Sequence, residues 1–378
     1  MFTLFRRELA SKLEKESHTI SPYLVFFLLN SSMIGVGILN FQRELINHGG
    51  YSSWISVILA GITIHLLVWI IYRMLSTDPL NSDLISLNKA CFGRIVGNLI
   101  NGSVVLYFFM GAFTVFRGFV EIVQVWLFTS MSLYPVSVVF LVVIYYTISG
   151  GFRTVTGMSF WGIVLPYVVV IPLLFFVIKY LHPRNLLPLH VNSVEDILLS
   201  IKTMALQFSG IEVILIIYPL VQTPKKSYKW AQWAVLSTTS IYLVLTLLAF
   251  MFFSQGQMKH IIWPTVTLLK IIEIPLIQRL EYIVISIWFL KILATISIFL
   301  WAACRGVKTT VNIKHRTSLL IFLAGFLALQ LLFFKDRSGI SELSKFNSNV
   351  GFYFNYVYIP ILFVIVLLRS KFMSKKIE

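Results

Sequence analysis

Charged residues are scarce in this sequence. Asp, Glu, Lys and Arg make up only 12% of the 378 residues, whereas 58% are hydrophobic and the mean hydropathy is +0.85. A soluble domain is about a quarter charged and about half apolar, so no soluble core hides this much apolar surface. Long unbroken apolar runs cross a bilayer as helices. The composition therefore predicts an all-α integral membrane protein.

Acidic residues and cysteines are also few. There are 15 Asp and Glu against 31 Lys and Arg, giving a net charge of +16. The basic residues lie in short loops and form no single stripe, which indicates membrane topology and argues against a nucleic-acid partner. Cys91 and Cys304 are too few for a disulfide framework or a metal site. No phosphate-binding loop, nucleophile elbow or metal-ligand spacing is present, so the sequence predicts no enzyme activity, cofactor or metal.

Apolar windows of about twenty residues predict ten membrane-spanning helices. They lie near 22–46, 51–73, 97–128, 133–149, 156–181, 197–222, 230–253, 281–304, 318–334 and 351–369. The stretch 256–279 is predicted to be an interfacial or re-entrant segment, and 77–96 a similar surface segment on the opposite side. Lys and Arg are concentrated in loops on the side of the N-terminal tail, which predicts that both termini are cytoplasmic.

Two predicted spans carry glycines in corresponding positions. Span one reads NSSMIGVGIL over 30–39, and span six reads QFSGIE over 207–212. Matched glycines in two five-helix halves are typical of transporters with inverted repeats and discontinuous helices. N–H groups freed at such a break can hold a carboxylate, and freed C=O groups a cation. The alternative is that these small residues only allow close helix packing.

These observations predict a single membrane domain over 1–378. Its first five-helix repeat is expected at 20–182 and its second at 196–370, with cytoplasmic tails at 1–19 and 371–378.

Four ionisable residues at membrane depth are candidates for coupling or gating: Arg117, Glu121, Glu212 and Lys291. Arg117 and Glu121 are four residues apart, so they either pair with each other or serve ligand passage. Lys291 has no acidic residue one helical turn away, so a carboxylate partner must come from another helix. We hypothesise that its ammonium occupies the place of a bound cation. Snorkelling or pairing with Glu212 remain open alternatives.

Short motifs along the chain resemble those of a known family. The run SMIGVGIL at 32–39 resembles the first-helix motif of amino-acid permeases of the APC superfamily, and FSGIE at 208–212 resembles their sixth-helix motif. TPKK at 223–226 resembles the loop that follows the sixth helix in those permeases. ISPY at 20–23, WPT at 263–265, IEIP at 272–275 and QRLE at 278–281 resemble the spore germination permease family. That family comprises the GerAB-type B subunits of endospore germinant receptors.

This resemblance implies a LeuT-like fold of ten helices in a 5+5 inverted repeat, with helices one and six discontinuous. It also implies a receptor subunit in the spore inner membrane that recognises a small germinant, often an L-amino acid. An A-type subunit and a lipoprotein C-type subunit are the implied partners, together with membrane lipid. An amino-acid permease and a water or ion channel are the alternative functions. Lys291 near the cation region makes sodium coupling doubtful.

Carried over from the permeases, the ligand-binding residues belong to the two broken segments. They are Ser32, Ile34, Gly35, Val36, Gly37, Phe208, Ser209, Gly210 and Ile211.

Overall fold

The structure is a computed structural model that describes residues 19–78, 81–127, 132–187, 193–270, 280–334 and 337–374. Within these ranges the chain is helical apart from connections and one β-bridge between Ile20 and Val221. The α-helices are α1 Leu24–Met33, α2 Phe41–Gly49, α3 Trp54–Thr77, α4 Leu84–Trp126, α5 Leu133–Ser149, α6 Phe152–Val177, α7 Val194–Gln207, α8 Ile214–Ile217, α9 Tyr228–Phe252, α10 Gln255–His260, α11 Pro264–Lys270, α12 Leu280–Val311, α13 His315–Leu332, α14 Arg337–Tyr353 and α15 Ile359–Ser374.

Seven helical stretches in the described ranges are long and apolar enough to cross a membrane, and an eighth is obtained when α7 and the helical turns after it count as one bent span. Two more apolar helices, α1 and α5, are shorter than 18 residues. The chain is therefore an all-α membrane protein, as its composition predicts. The count of ten spans and the inverted repeat stay predictions.

The first predicted span is broken, as its glycines predict. Helix α1 ends at Met33, after which Ile34 is extended, with φ −99° and ψ 95°. Gly35 has φ −102° and ψ −147°, and a 3₁₀ turn at Val36–Leu39 leads into α2. Glycine and β-branched residues are poor helix formers, so this stretch loses little by leaving the helix.

The sixth predicted span is also broken. Helix α7 ends at Gln207, and the chain resumes in helical turns over 211–220 at an angle of 48° to α7. Between them Gly210 has φ +119°, a region that favours glycine. A Cβ atom on Gly210 would also overlap the carbonyl of Ser32, so the two breaks lie in direct contact.

Helix α4 reverses direction near its start. Gly93 has φ 77° and ψ 178°, which folds the piece before it back against the piece after it. Asn88 Nδ2 donates to Asn101 Oδ1 over 2.9 Å, and Asn101 Nδ2 donates to the Ile85 carbonyl over 3.0 Å. The helical turns before Gly93 fall within the segment 77–96 that the sequence separates from span three.

The last span is longer than the sequence predicts. Helix α14 and helix α15 are joined by a π-helical turn at Phe354–Tyr358, so the helical stretch begins at Arg337 and not near 351. An apolar window misses α14 because many of its residues are polar. Of the interfacial stretch 256–279, the structure describes α10 and α11, and residues 271–279 lie outside the described ranges, with most of the IEIP and QRLE motifs.

Helix α12 lies at the centre of the bundle. It packs against α4, α6 and α1, and a larger share of it is buried than of the other candidate spans in the described ranges. Its side chains are therefore positioned to contact the break between α1 and α2.

Candidate functional site

A polar cavity of about 440 Å³ lies at the two breaks. Of the residues carried over from the permeases, five line it: Ser32, Gly35, Val36, Gly37 and Ser209. Its inner wall also includes Tyr107, Gln207, Tyr242 and Thr295. Cavities of roughly 300–1,000 Å³ hold small molecules, so this one has the size of a small-ligand site.

The other carried-over residues lie behind this wall. Ile34, Phe208 and Ile211 are buried, and the cavity lining includes none of them or Gly210. The Phe208 ring packs against the Tyr242 ring with centroids 5.5 Å apart. The structure therefore divides the predicted set into cavity-facing residues and residues that support the breaks.

The break in the first predicted span, between α1 and α2, offers unused backbone donors. Within the described part of the chain, the N–H groups of Gly35, Val36 and Gly37 have no hydrogen-bond acceptor, and all three residues line the cavity. Successive free N–H groups next to a helical turn attract anions. This geometry suits a carboxylate.

The break in the sixth predicted span is capped by a side chain from the same segment. Glu212 is fully buried, and its carboxylate accepts from the Gly210 N–H over 2.8 Å, the Tyr107 hydroxyl over 2.5 Å and Asn355 Nδ2 over 3.2 Å. A carboxylate beside the first N–H groups of a helix is favourable because those groups otherwise lack acceptors. The Gly210 N–H is thus occupied, and the unused donors belong to helix one.

Lys291 reaches the other side of the helix-one break. It is 1% exposed, and its Nζ donates to the Asn30 carbonyl over 3.0 Å. Thr295, one turn later on α12, donates to the Ser31 carbonyl over 2.8 Å. These carbonyls form the C-terminal end of α1, where a positive charge is favourable. Among the described residues no ion pair within 4.0 Å joins Lys291 to Glu212, and the contact of the Lys291 ammonium group is with the Asn30 carbonyl.

Tyr242 of α9 connects the two breaks. Its hydroxyl oxygen lies 3.3 Å from the Met33 carbonyl and 3.2 Å from the Gln207 carbonyl. Met33 is the last residue of α1, and Gln207 is the last residue of α7. A hydroxyl has one hydrogen, so the two carbonyls share it. Movement of one helix end relative to the other would change this contact.

Arg117 and Glu121 each contact a residue near the start of α14, and their pairing with each other stays a prediction. Glu121 lies 3.6 Å from the Nε atom of Arg337, and Arg117 Nε donates to the Phe334 carbonyl over 2.8 Å. Both partners come from residues around the start of α14, which the spacing of 117 and 121 on one helix cannot reveal. Glu121 and Arg337 line the cavity together with Trp263, whose ring lies 5.1 Å from the Arg337 guanidinium.

Several lining residues were not predicted from the sequence. Tyr107, Tyr242 and Thr295 carry no local signal that distinguishes them from other polar residues in spans. Helix α14 does carry one, because Ser341, Ser344 and Ser348 follow helical spacing and all three line the cavity. A polar stripe of this kind marks the cavity-facing side of a span.

Known proteins match the chain over most of its length. A family model described as "Spore germination protein" matches residues 19–340. The chain is 35% identical to spore germination protein GerQB of Bacillus cereus over 94% of this chain and 97% of the relative. It is 23% identical to spore germination protein B2 of Bacillus subtilis (strain 168), over 73% of this chain and 75% of the relative. It is also 21% identical to spore germination protein A2 of the same organism, over 92% and 95%.

Proposed function

The chain belongs to the spore germination protein family as a B-type subunit of a germinant receptor, and we propose that its polar cavity binds the germinant. The observation that carries this proposal is the set of free N–H groups at Gly35, Val36 and Gly37 on the cavity wall. They favour a germinant with a carboxylate, such as an L-amino acid.

The remaining wall supports a polar ligand of modest size. Ser32 and Ser209 line the cavity beside the break, and Gln207, Thr295 and Asn347 add further hydrogen-bonding groups. Placed donors and acceptors of this kind fix the orientation of a small molecule and give specificity. The carboxylate would lie at Gly35–Gly37, and the rest of the germinant would extend towards α14.

The proposed mechanism is a ligand-biased switch. A ligand shifts an equilibrium between two arrangements only by the difference in its affinity for them. A change from 1:99 to 99:1 requires about 5.5 kcal/mol of differential binding. Because Tyr242 contacts the last carbonyls of both α1 and α7, a germinant that moves one helix end alters the hydrogen bonds of the other.

The setting of this switch is part of the proposal. The chain would act in the spore inner membrane with both termini in the cytoplasm, beside an A-type subunit and a lipoprotein C-type subunit. The basic loops on the side of the N-terminal tail support this orientation.

The proposal is tested by narrowing the cavity. Ser344 of α14 lines it, whereas Phe346 on the same helix is exposed and does not. When a responsive germinant is added, the optical density of unmodified spores falls. Ser344→Trp spores should not show this fall, whereas Phe346→Trp spores should show it. Binding of labelled germinant to the purified variants should follow the same pattern. Unchanged binding and germination with Ser344→Trp would reject the cavity as the germinant site.

Transport measurements on the same purified chain distinguish a receptor from a permease. Proteoliposomes that accumulate the labelled germinant against a gradient would favour transport. Binding without accumulation would favour sensing.

A further inference from the structure

A second cleft, separate from the polar cavity, lies between α6 and α9. It has a volume of about 190 Å³ and is closed at one end by α11. Its floor is formed by Ile34 and Ile38, and Trp288 of α12 lines it. The walls are overwhelmingly aliphatic and aromatic.

The hydroxyl groups in this wall already have hydrogen-bond acceptors. Tyr167 donates to Asn30 Oδ1, Thr265 donates to the Ile38 carbonyl, and Ser240 donates to the Leu236 carbonyl. An apolar cavity of about 150 Å³ stays dry and accepts apolar molecules, so water is a poor occupant here as well. The cleft therefore selects for hydrocarbon.

The mouth of the cleft faces the membrane. Ile171 of α6 is 41% exposed and Val244 of α9 is 47% exposed, and both line the cleft. They lie within helices that cross the bilayer, so the medium outside this opening is lipid. An acyl chain can enter from the side without leaving hydrocarbon.

One donor in the wall remains unused. The Trp288 indole N–H is buried and has no hydrogen-bond partner within the described part of the chain. Trp288 lies on α12 within a helical stretch that is long and apolar enough to cross the membrane. The indole can donate to an oxygen of a lipid whose chain fills the cleft.

We propose that this cleft binds the acyl chain of a membrane phospholipid. Filling it would add dispersion contacts to side chains that otherwise face a void. Because Ile34 and Ile38 flank Gly35–Gly37, the bound chain would contact the same broken segment that lines the polar cavity. This inference does not depend on the identity of the germinant.

The test uses the purified full chain in vesicles of phosphatidylglycerol with a photoreactive diazirine in the acyl chain. After illumination, adducts are mapped by mass spectrometry. Adducts on Trp288 or Ile38 are expected, although both side chains are buried from bulk lipid. Adducts on Val142, which is exposed to lipid, report labelling of the outer surface.

Blocked variants make the test specific. Val244→Trp and Ser240→Trp fill the mouth, and both should lose the Trp288 and Ile38 adducts while keeping the Val142 adduct. Val168→Trp is the matched control, because Val168 is exposed on α6 outside the cleft. Two variants are used so that one misfolded protein does not decide the result. Absence of Trp288 and Ile38 adducts in the unmodified chain, or their persistence in both blocked variants, would overturn the proposal.

Discussion

Lys291 donates from Nζ to the carbonyl oxygen of Asn30 over 3.0 Å, inside the bundle. The same carbonyl also accepts the Ile34 N–H over 3.2 Å, which is the last hydrogen bond of α1 before the break. The end of α1 is therefore held from two sides, by its own backbone and by a side chain of α12. Loss of the side chain would leave the backbone bond in place.

Replacing Lys291 should affect the germinant response more than the fold. In Lys291→Met the buried Asn30 carbonyl at the end of α1 loses its side-chain donor. We expect the germination rate to fall across a wide pH range, because no titration restores the missing group. Rates are measured with spores of the variant at a series of pH values.

The control for this variant is Lys308→Met, on the same helix but exposed. It should germinate as the unmodified strain does. If Lys291→Met germinates normally at every pH, the ammonium has no role at the break.

Gly210 should tolerate no side chain. Its φ of +119° and the adjacent Ser32 carbonyl both oppose a Cβ atom. The backbone conformation alone costs about 1–2 kcal/mol for an L-residue, and the overlap adds to it. Gly210→Ala should therefore lower the unfolding temperature of the detergent-purified protein.

Gly102→Ala is the matched control, because a Cβ atom on Gly102 has open space in α4. It should leave the unfolding temperature unchanged or raise it, since alanine is the better helix former by about 0.5–1 kcal/mol. Equal unfolding temperatures for Gly210→Ala and the unmodified chain would show that the break does not require glycine.

Tyr107 and Glu212 should be energetically coupled. Their hydrogen bond is 2.5 Å long and lies in the buried interior, where removal of one partner leaves the other unsatisfied. A double-mutant cycle of Tyr107→Phe and Glu212→Gln should give a coupling of about 0.5–3 kcal/mol. The free energies are taken from reversible unfolding in detergent.

The control cycle combines Glu212→Gln with Tyr146→Phe, since Tyr146 is exposed on α5. These two changes should be additive within about 0.5 kcal/mol. Additivity in the Tyr107 cycle as well would mean that the hydroxyl and the carboxylate do not support each other.

The Glu121–Arg337 ion pair should contribute little to stability. The Arg337 side chain is 51% exposed and that of Glu121 17%, so solvent screens the pair. Glu121→Gln should change the free energy of unfolding by less than about 1 kcal/mol. A change of several kcal/mol, absent from the exposed control Glu342→Gln, would contradict this placement.

The sequence by itself determined the membrane class and the position of both breaks. Apolar composition excludes a soluble core, and this property does not depend on which helices touch. The breaks are local too, because Gly35, Gly37 and Gly210 weaken the helix wherever the chain folds. Short motifs elsewhere, at 20–23, 263–265, 272–275 and 278–281, resembled the family to which the chain belongs.

Tertiary structure decided which groups remain available at those breaks. Glu212 takes its hydroxyl donor from a residue 105 positions away and an amide donor from one 143 positions away. Lys291 reaches a carbonyl 261 positions away. Such partners are set by the packing of separate helices, and helical periodicity relates only residues on the same helix. The polar wall of α14 and the acyl-chain cleft arise in the same way, because each forms only where several helices meet.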